Sequence, residues 1–201
     1  MKREAAMDKH FPIGTERLLL RPFTEGDLPD VLKIFGDEEI NRFLPWFPLK
    51  DMAEAEAFWR ERYAPGLPGI RYAICGKKEG VPVGYVNLSV EPPYDLGYGL
   101  LKEFWGRGIV TEAARAVVEQ ARQEGLPYLT ATHDRENLGS GGVMRKLGMV
   151  YQYSYEERWQ PKDIRVVFRL YQMDLDGQER SYRGYWDRNP VHFVEPGLGR
   201  E

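Results

Sequence analysis

The chain has 201 residues and a formal net charge of −3, with 42% apolar and 29% charged residues, one cysteine and three histidines. That length suits one domain of generous size and excludes two full ones. Cys75 alone cannot form an internal disulfide, three histidines leave no Cys/His set for a zinc site, and the acidic balance lacks the basic excess that neutralises nucleic-acid phosphates. No apolar run approaches the roughly 20 residues that span a bilayer. Residues 1–10 are charged and lack the apolar centre of a signal peptide, so neither membrane nor nucleic acid is an expected partner and the expected location is cytoplasmic.

In chain order, residues 16–22 (ERLLLRP) form a β-type run, and Thr24 with Asp27 then opens an amphipathic helix through Phe35. Residues 43–48 (FLPWFP) are broken by prolines and must be an apolar loop. Asp51 with Glu54 has capping-box spacing for a helix carrying Ala53, Ala57, Phe58 and Tyr63. From Ile70 the period changes to two. Strands at 70–76, 81–90 and 94–101, with turns at 78–80 and Pro92-Pro93, read as an antiparallel meander.

Residues 109–124 form the strongest helix, with Val110, Ala113, Ala114, Val117, Val118 and Ala121 on one face and Gly125 as its stop. A strand at 128–132, a helix at 138–147 closed by Gly148, and a hairpin of strands 149–159 and 164–173 complete the pattern. Residues 176–201 are polar, aromatic and irregular. They are expected to be an extension packed on the domain, as residues 1–14 are expected to be a tail.

Between the strand at 94–101 and the strong helix lies Phe104-Trp105-Gly106-Arg107-Gly108-Ile109. Two glycines let backbone N–H groups converge, and the helix dipole adds about half a positive charge there, an arrangement that fits a diphosphate. A glycine-rich turn with no ligand is the alternative. The Walker and Rossmann glycine patterns are both absent.

The run Leu96-Gly97-Tyr98-Gly99-Leu100-Leu101 through Gly106-Arg107-Gly108 to Ala113 resembles motif A of the GNAT acetyltransferases. The resemblance points to the branch that acetylates ribosomal-protein N-termini and many small amines (RimJ/RimL type). Thr15-Glu16-Arg17-Leu18-Leu19-Leu20-Arg21-Pro22 is similar to that branch's opening strand, and Asn137-Leu138-Gly139-Ser140 with Lys146-Leu147-Gly148-Met149 to its next CoA-contacting segment. Residues 15–175 are covered in the family's order.

The resemblance implies a single mixed α/β domain with a twisted, splayed mixed sheet flanked by helices. It implies acetyl-CoA as cosubstrate, an amine acceptor from a protein N-terminus or a small molecule, no metal, and a monomer or homodimer. The pantetheine arm would pair with Leu100 and its neighbours, and an N–H near Leu100 or Leu101 would steady the thioester oxyanion. The diphosphate would sit on the segment Trp105, Gly106, Arg107, Gly108, Ile109, Val110 and Thr111, and Asn137 would bond the pantetheine amide. The family's usual tyrosine acid falls at Met144, so the role of acid passes to Ser140, near the CoA sulfur. For the base the candidates are Asp95, His133, Glu156 and Glu157; strand alternation sends only one of the two glutamates toward the site. A non-catalytic acyl-CoA-binding or regulatory module is the competing reading, favoured by Met144.

Overall fold

The structure is a computed structural model and describes residues 11–198. Strands β1 (Ile13–Gly14), β2 (Leu18–Arg21), β3 (Ile70–Gly76), β4 (Pro82–Leu88) and β5 (Leu96–Leu100) form an antiparallel sheet in that order. A second antiparallel sheet has the order β6-β8-β7-β9, with β6 at Tyr128–Asp134, β7 at Val150–Trp159, β8 at Ile164–Asp174 and β9 at His192–Phe193. A single parallel bridge between Asp95 and Thr130 joins the two sheets. Beyond it β5 and β6 part, so the expected splay separates two antiparallel sheets rather than two strands of one continuous sheet.

Alternation along β3 explains how the first sheet is covered on both faces. Ile70, Tyr72 and Ile74 pack with Val86, Leu88 and Leu96 against α4 (Ile109–Gln123). Ala73 and Cys75 point the other way, with Tyr85, into a core built by α1 (Leu28–Phe35) and α3 (Met52–Arg62). The α4 stripe Ala113, Ala114, Val117, Val118 and Ala121 is buried and also meets Leu129 and Ala131 of β6, so one helix covers the junction of both sheets. Helix α5 (Leu138–Leu147) lies beside it and contributes Met144 to the same core.

A one-turn helix, α2 (Glu38–Asn41), precedes the apolar loop. Asp51 caps α3 by accepting from the Glu54 amide at 2.9 Å, while Glu54 returns its bond to the amide of Lys50 rather than of Asp51. The segment read as irregular after residue 176 contains α6 (Gly184–Arg188) and β9, which pairs with β7 at Ser154 and Tyr155. Tyr185 stacks on Tyr155 at 4.9 Å, the Tyr153 hydroxyl donates to the Tyr182 carbonyl at 2.6 Å, and Arg169 holds Glu195 at 2.6 Å. Among the described residues no helix is long and apolar enough to cross a membrane.

Candidate active site

The loop before α4 depends on its glycines. Gly106 and Gly108 both have φ of 73°, the left-handed region that costs other residues about 1–2 kcal/mol. Gly108 is the N-cap, so the first amides of α4 lack intrahelical acceptors and project into the loop with the positive end of the dipole. Glu112 fastens this loop to the start of β2. Its carboxylate accepts from Thr15 Oγ1 at 2.6 Å, from the Arg17 amide at 2.9 Å and from Arg17 Nε at 2.7 Å. Arg17 Nη1 also donates to the Arg107 carbonyl at 3.0 Å. Burial opposes the charge on Glu112, but these hydrogen bonds outweigh it and hold the carboxyl below its usual range. Sequence reasoning did not assign this strap; Thr-x-Arg at 15–17 was its only trace.

Along β5 the backbone groups alternate. Leu101 donates its N–H to Val83 and Ser89 donates to Asp95, so odd-numbered residues bond to β4. The amides and carbonyls of Leu96, Tyr98 and Leu100 therefore face the gap beside β6. Of the two amides considered for the oxyanion, that of Leu101 is occupied and that of Leu100 looks into the gap. The Trp105 indole donates to the Leu100 carbonyl at 2.7 Å, which folds the loop back on the strand end.

A cavity of about 630 Å³ occupies the gap. On its α5 side lie Tyr98, Asn137, Ser140 and Met144. Ser140 Oγ donates to the Tyr98 hydroxyl at 3.1 Å, which donates to the Ser140 carbonyl at 2.8 Å. Burial pushes the Tyr98 phenol well up, so it stays protonated across the neutral range. Sequence reasoning missed Tyr98. A tyrosine was sought on α5, where Met144 is buried in the core, and the hydroxyl arrives from β5 instead. Asn137 caps α5, its Oδ1 accepting from the Ser140 amide at 3.1 Å, and thereby fixes the serine.

Arg62, Arg71, Asn87 and Asp95 also line the cavity, and Asp95 is near enough to Tyr98 for its charge to help raise the phenol. Asp95 stands where β5 and β6 part, and burial, partly offset by the Thr130 hydroxyl, pushes its carboxyl up to about 6. Its Oδ1 is buried without a hydrogen-bond partner in the protein. His133 also borders the cavity, but its ring is wedged under α5. A Cβ on Gly141 would fall 2.7 Å from His133 Nε2, and Nδ1 donates to the Asp134 carbonyl at 2.8 Å. Burial lowers the His133 pKa, keeping the ring neutral. Glu156 and Glu157 are not among the residues that line the cavity, and Glu156 pairs with Arg165 at 3.2 Å. Among the base candidates, Asp95 alone joins a lining position to a poised acidity and an unused oxygen.

Cys75 is fully buried on β3, and burial raises its thiol to about 11, which removes it as a nucleophile. Among the described residues no cluster of three or more His, Cys, Asp or Glu side chains could hold a metal ion.

A family model described as the acetyltransferase (GNAT) domain matches residues 17–150, and the chain belongs to the GNAT acetyltransferases. Its curated relatives include the uncharacterized N-acetyltransferase YnaD of Bacillus subtilis (strain 168), 27% identical over 141 residues, covering 68% of this chain and 81% of that protein. Another is the L-methionine sulfoximine/L-methionine sulfone acetyltransferase of Pseudomonas paraeruginosa (strain DSM 24068 / PA7), 26% identical over 130 residues, covering 61% and 74%. Among solved structures, a GNAT-family acetyltransferase from Bacillus anthracis superposes with a TM-score of 0.73 at 22% identity, covering 83% of this chain and 99% of that one. The expectations of a GNAT fold and of acetyl-CoA as cosubstrate are thus borne out.

Proposed function

We infer that this N-acetyltransferase transfers acetyl from acetyl-CoA to a primary amine by direct attack within a ternary complex, with Asp95 as the base and the Tyr98–Ser140 pair beside the departing sulfur. The observation that carries the reading is the cavity where β5 and β6 part. Protonated hydroxyls and a poised carboxylate line the same cavity.

Acetyl-CoA supplies the acetyl group as a thioester. The loop amides of residues 106–111 would hold its diphosphate, and the gap-facing backbone of Tyr98 and Leu100 its pantetheine arm; the left-handed glycines and the unpaired edge of β5 fit both tasks. The Leu100 N–H is the donor available to the thioester oxygen, a contact typically worth about 3–4 kcal/mol.

An amine with a pKa of roughly 8 or above arrives mostly as ammonium, and losing the proton costs about 1.36 kcal/mol per pH unit of mismatch. Asp95, ionised above about pH 6, takes that proton. As the new N–C bond forms and the C–S bond breaks, the Tyr98 and Ser140 hydroxyls exchange their bonds to each other and to the Ser140 carbonyl for bonds to the thiolate. Tyr98 holds its own proton too tightly to surrender it, so it steadies the sulfur while solvent supplies the proton. The buried Cys75 thiol supports direct attack over an acyl-enzyme.

For the acceptor, the name of the Pseudomonas relative supports a small amino-acid derivative as one class, and a protein N-terminus is the other. We place the enzyme in the cytoplasm, following the sequence expectation. A thiol-release assay over a panel of primary amines tests the reading. Release that depends on an amine is expected; acetyl-CoA binding with no release on any amine would contradict it.

A further inference from the structure

Among the described residues, five side-chain atoms are buried without a hydrogen-bond partner in the protein, and four of them belong to the cavity: Arg62 Nε, Asn87 Oδ1, Asp95 Oδ1 and His133 Nε2. Buried polar atoms are ordinarily satisfied, so a cluster of orphans describes the ligand that would satisfy them. His133 Nε2 packs against Gly141 and is set aside. The other three come from α3, β4 and the residue ahead of β5, and they differ in kind. Arg62 offers a donor; Asn87 and Asp95 offer acceptors.

Strand register fixes their spacing. Arg71 on β3, Asn87 on β4 and Gly97 on β5 stand directly opposite one another in one row. The Ser89 amide bonds to the Asp95 carbonyl at 3.0 Å, which continues the register and makes Asp95 the diagonal neighbour of Asn87, about 7–8 Å away. Asn87 donates Nδ2 to the Tyr63 hydroxyl at 3.0 Å, leaving Oδ1 for the cavity. A Cβ on Gly97 would have nothing within 4 Å, so the floor between these groups is open.

The cationic end is also defined. The Arg62 guanidinium lies over Trp46 at 4.6 Å and Phe58 at 5.2 Å, and its ion pair with Glu61 is a long one of 3.5 Å at the exposed rim. Arg71 reaches the Pro68 carbonyl, and among the described residues no carboxylate pairs with it. Burial lowers the Arg71 pKa, and the nearby Arg62 charge lowers it further against the opposing influence of Tyr63. Two cations that line one cavity and feel each other's charge favour an anion there, and guanidinium forks favour a planar carboxylate.

We propose that the acceptor is a zwitterionic α-amino acid whose carboxylate lies between Arg62 and Arg71 and whose ammonium lies on Asn87 Oδ1 and Asp95. The proposal rests on the acetyl-transfer reading and adds its substrate class. The ammonium gives one proton to Asp95, its lone pair forms the N–C bond to the acetyl carbon, the C–S electron pair leaves with sulfur, the second N–H proton passes to solvent, and the thiolate takes a proton from solvent. The products are the N-acetyl amino acid, CoA thiol and a proton returned to solvent. A protein N-terminus would place a neutral amide where two guanidinium groups converge, and would leave their charges unmatched. The aromatic wall at Phe43 and Trp46 suits an apolar side chain.

Thiol release by the full chain with L-leucine and L-phenylalanine, their amides, and a short peptide starting with the same residues provides the test. The free acids are expected to exceed amides and peptide in kcat/KM by about 30-fold or more, in line with hydrogen bonds to charged groups. Arg71→Gln is expected to raise the KM of the acids by a similar factor and to erase their advantage. Its KM for acetyl-CoA should match wild type, which also reports folding, and Arg71→Lys should restore part of the preference. Amides or peptide used as well as the acids would overturn the proposal on the wild-type protein alone, as would an acid preference that survives Arg71→Gln. No release on any amine, with acetyl-CoA still bound, would instead contradict the acetyl-transfer reading and remove the proposal with it.

Discussion

The glycine loop ahead of α4 and the cavity between β5 and β6 are built by different means. The loop proposed for the diphosphate is mostly backbone: left-handed Gly106 and Gly108, the helix N-terminus behind them, and the gap-facing edge of β5 leading to it. The polar groups of the cavity proposed for the acceptor are side chains: Arg62 from α3, Arg71 from β3, Asn87 from β4 and Asp95 just ahead of β5. A backbone site tolerates changes of side chain. A side-chain site changes its ligand with each substitution. The same fold can therefore keep one cosubstrate while its acceptor varies.

Changes that damage one and spare the other sharpen this contrast. The largest effect is expected from Gly108→Asp, which forces a side chain into φ of 73° and puts a carboxylate where phosphates would sit. Acetyl-CoA affinity should fall at least about 100-fold by calorimetry, with thermal unfolding still cooperative. Unchanged affinity would remove the loop from the cosubstrate site. Next come Ser140→Ala and Tyr98→Phe, each expected to lower kcat about 10- to 100-fold with little change in acetyl-CoA affinity. Because the two hydroxyls share a hydrogen bond, the double variant should lose less than the product of the single losses. Multiplicative losses would separate their roles.

A smaller effect concerns stability. The Asp95 carboxyl is raised from 3.8 to about 6 in the folded state, so between those values the folded chain binds more protons than the unfolded one. Stability from this group is therefore greatest at low pH and falls as pH rises through that window. Asp95→Asn removes the buried charge and should raise stability at pH 8 by about 1–3 kcal/mol in urea titrations, with little difference near pH 4. A variant less stable than wild type at pH 8 would mean that the carboxylate is held by partners rather than strained.

What could be read from the sequence follows the same division. The α4 stripe from Ala113 to Ala121, the Gly125 stop and the Gly148 stop of α5 are local patterns, and each falls where its spacing placed it. The donor loop was legible because glycines, strand and helix are contiguous. Tyr98 was not, since its partner Ser140 is 42 residues away and only the splay of the sheets brings the hydroxyls together. Nor was the row of Arg71, Asn87 and Gly97, which exists only in the register of three strands. Glu156 and Glu157 illustrate the converse: alternation limits which residue faces inward, but only the packing of β7 against β8 and β9 decides what inward means.

The most direct test of this account is the pH profile of kcat/KM for the amine in wild type and Asp95→Asn, with the acetyl-CoA KM measured alongside. The account predicts a wild-type acid limb with a midpoint near 6, as Asp95 protonates. In the variant kcat should fall by about 10²–10⁴, the limb should vanish, and the acetyl-CoA KM should remain at the wild-type value. Wild-type turnover with an unaltered acid limb in Asp95→Asn would contradict it.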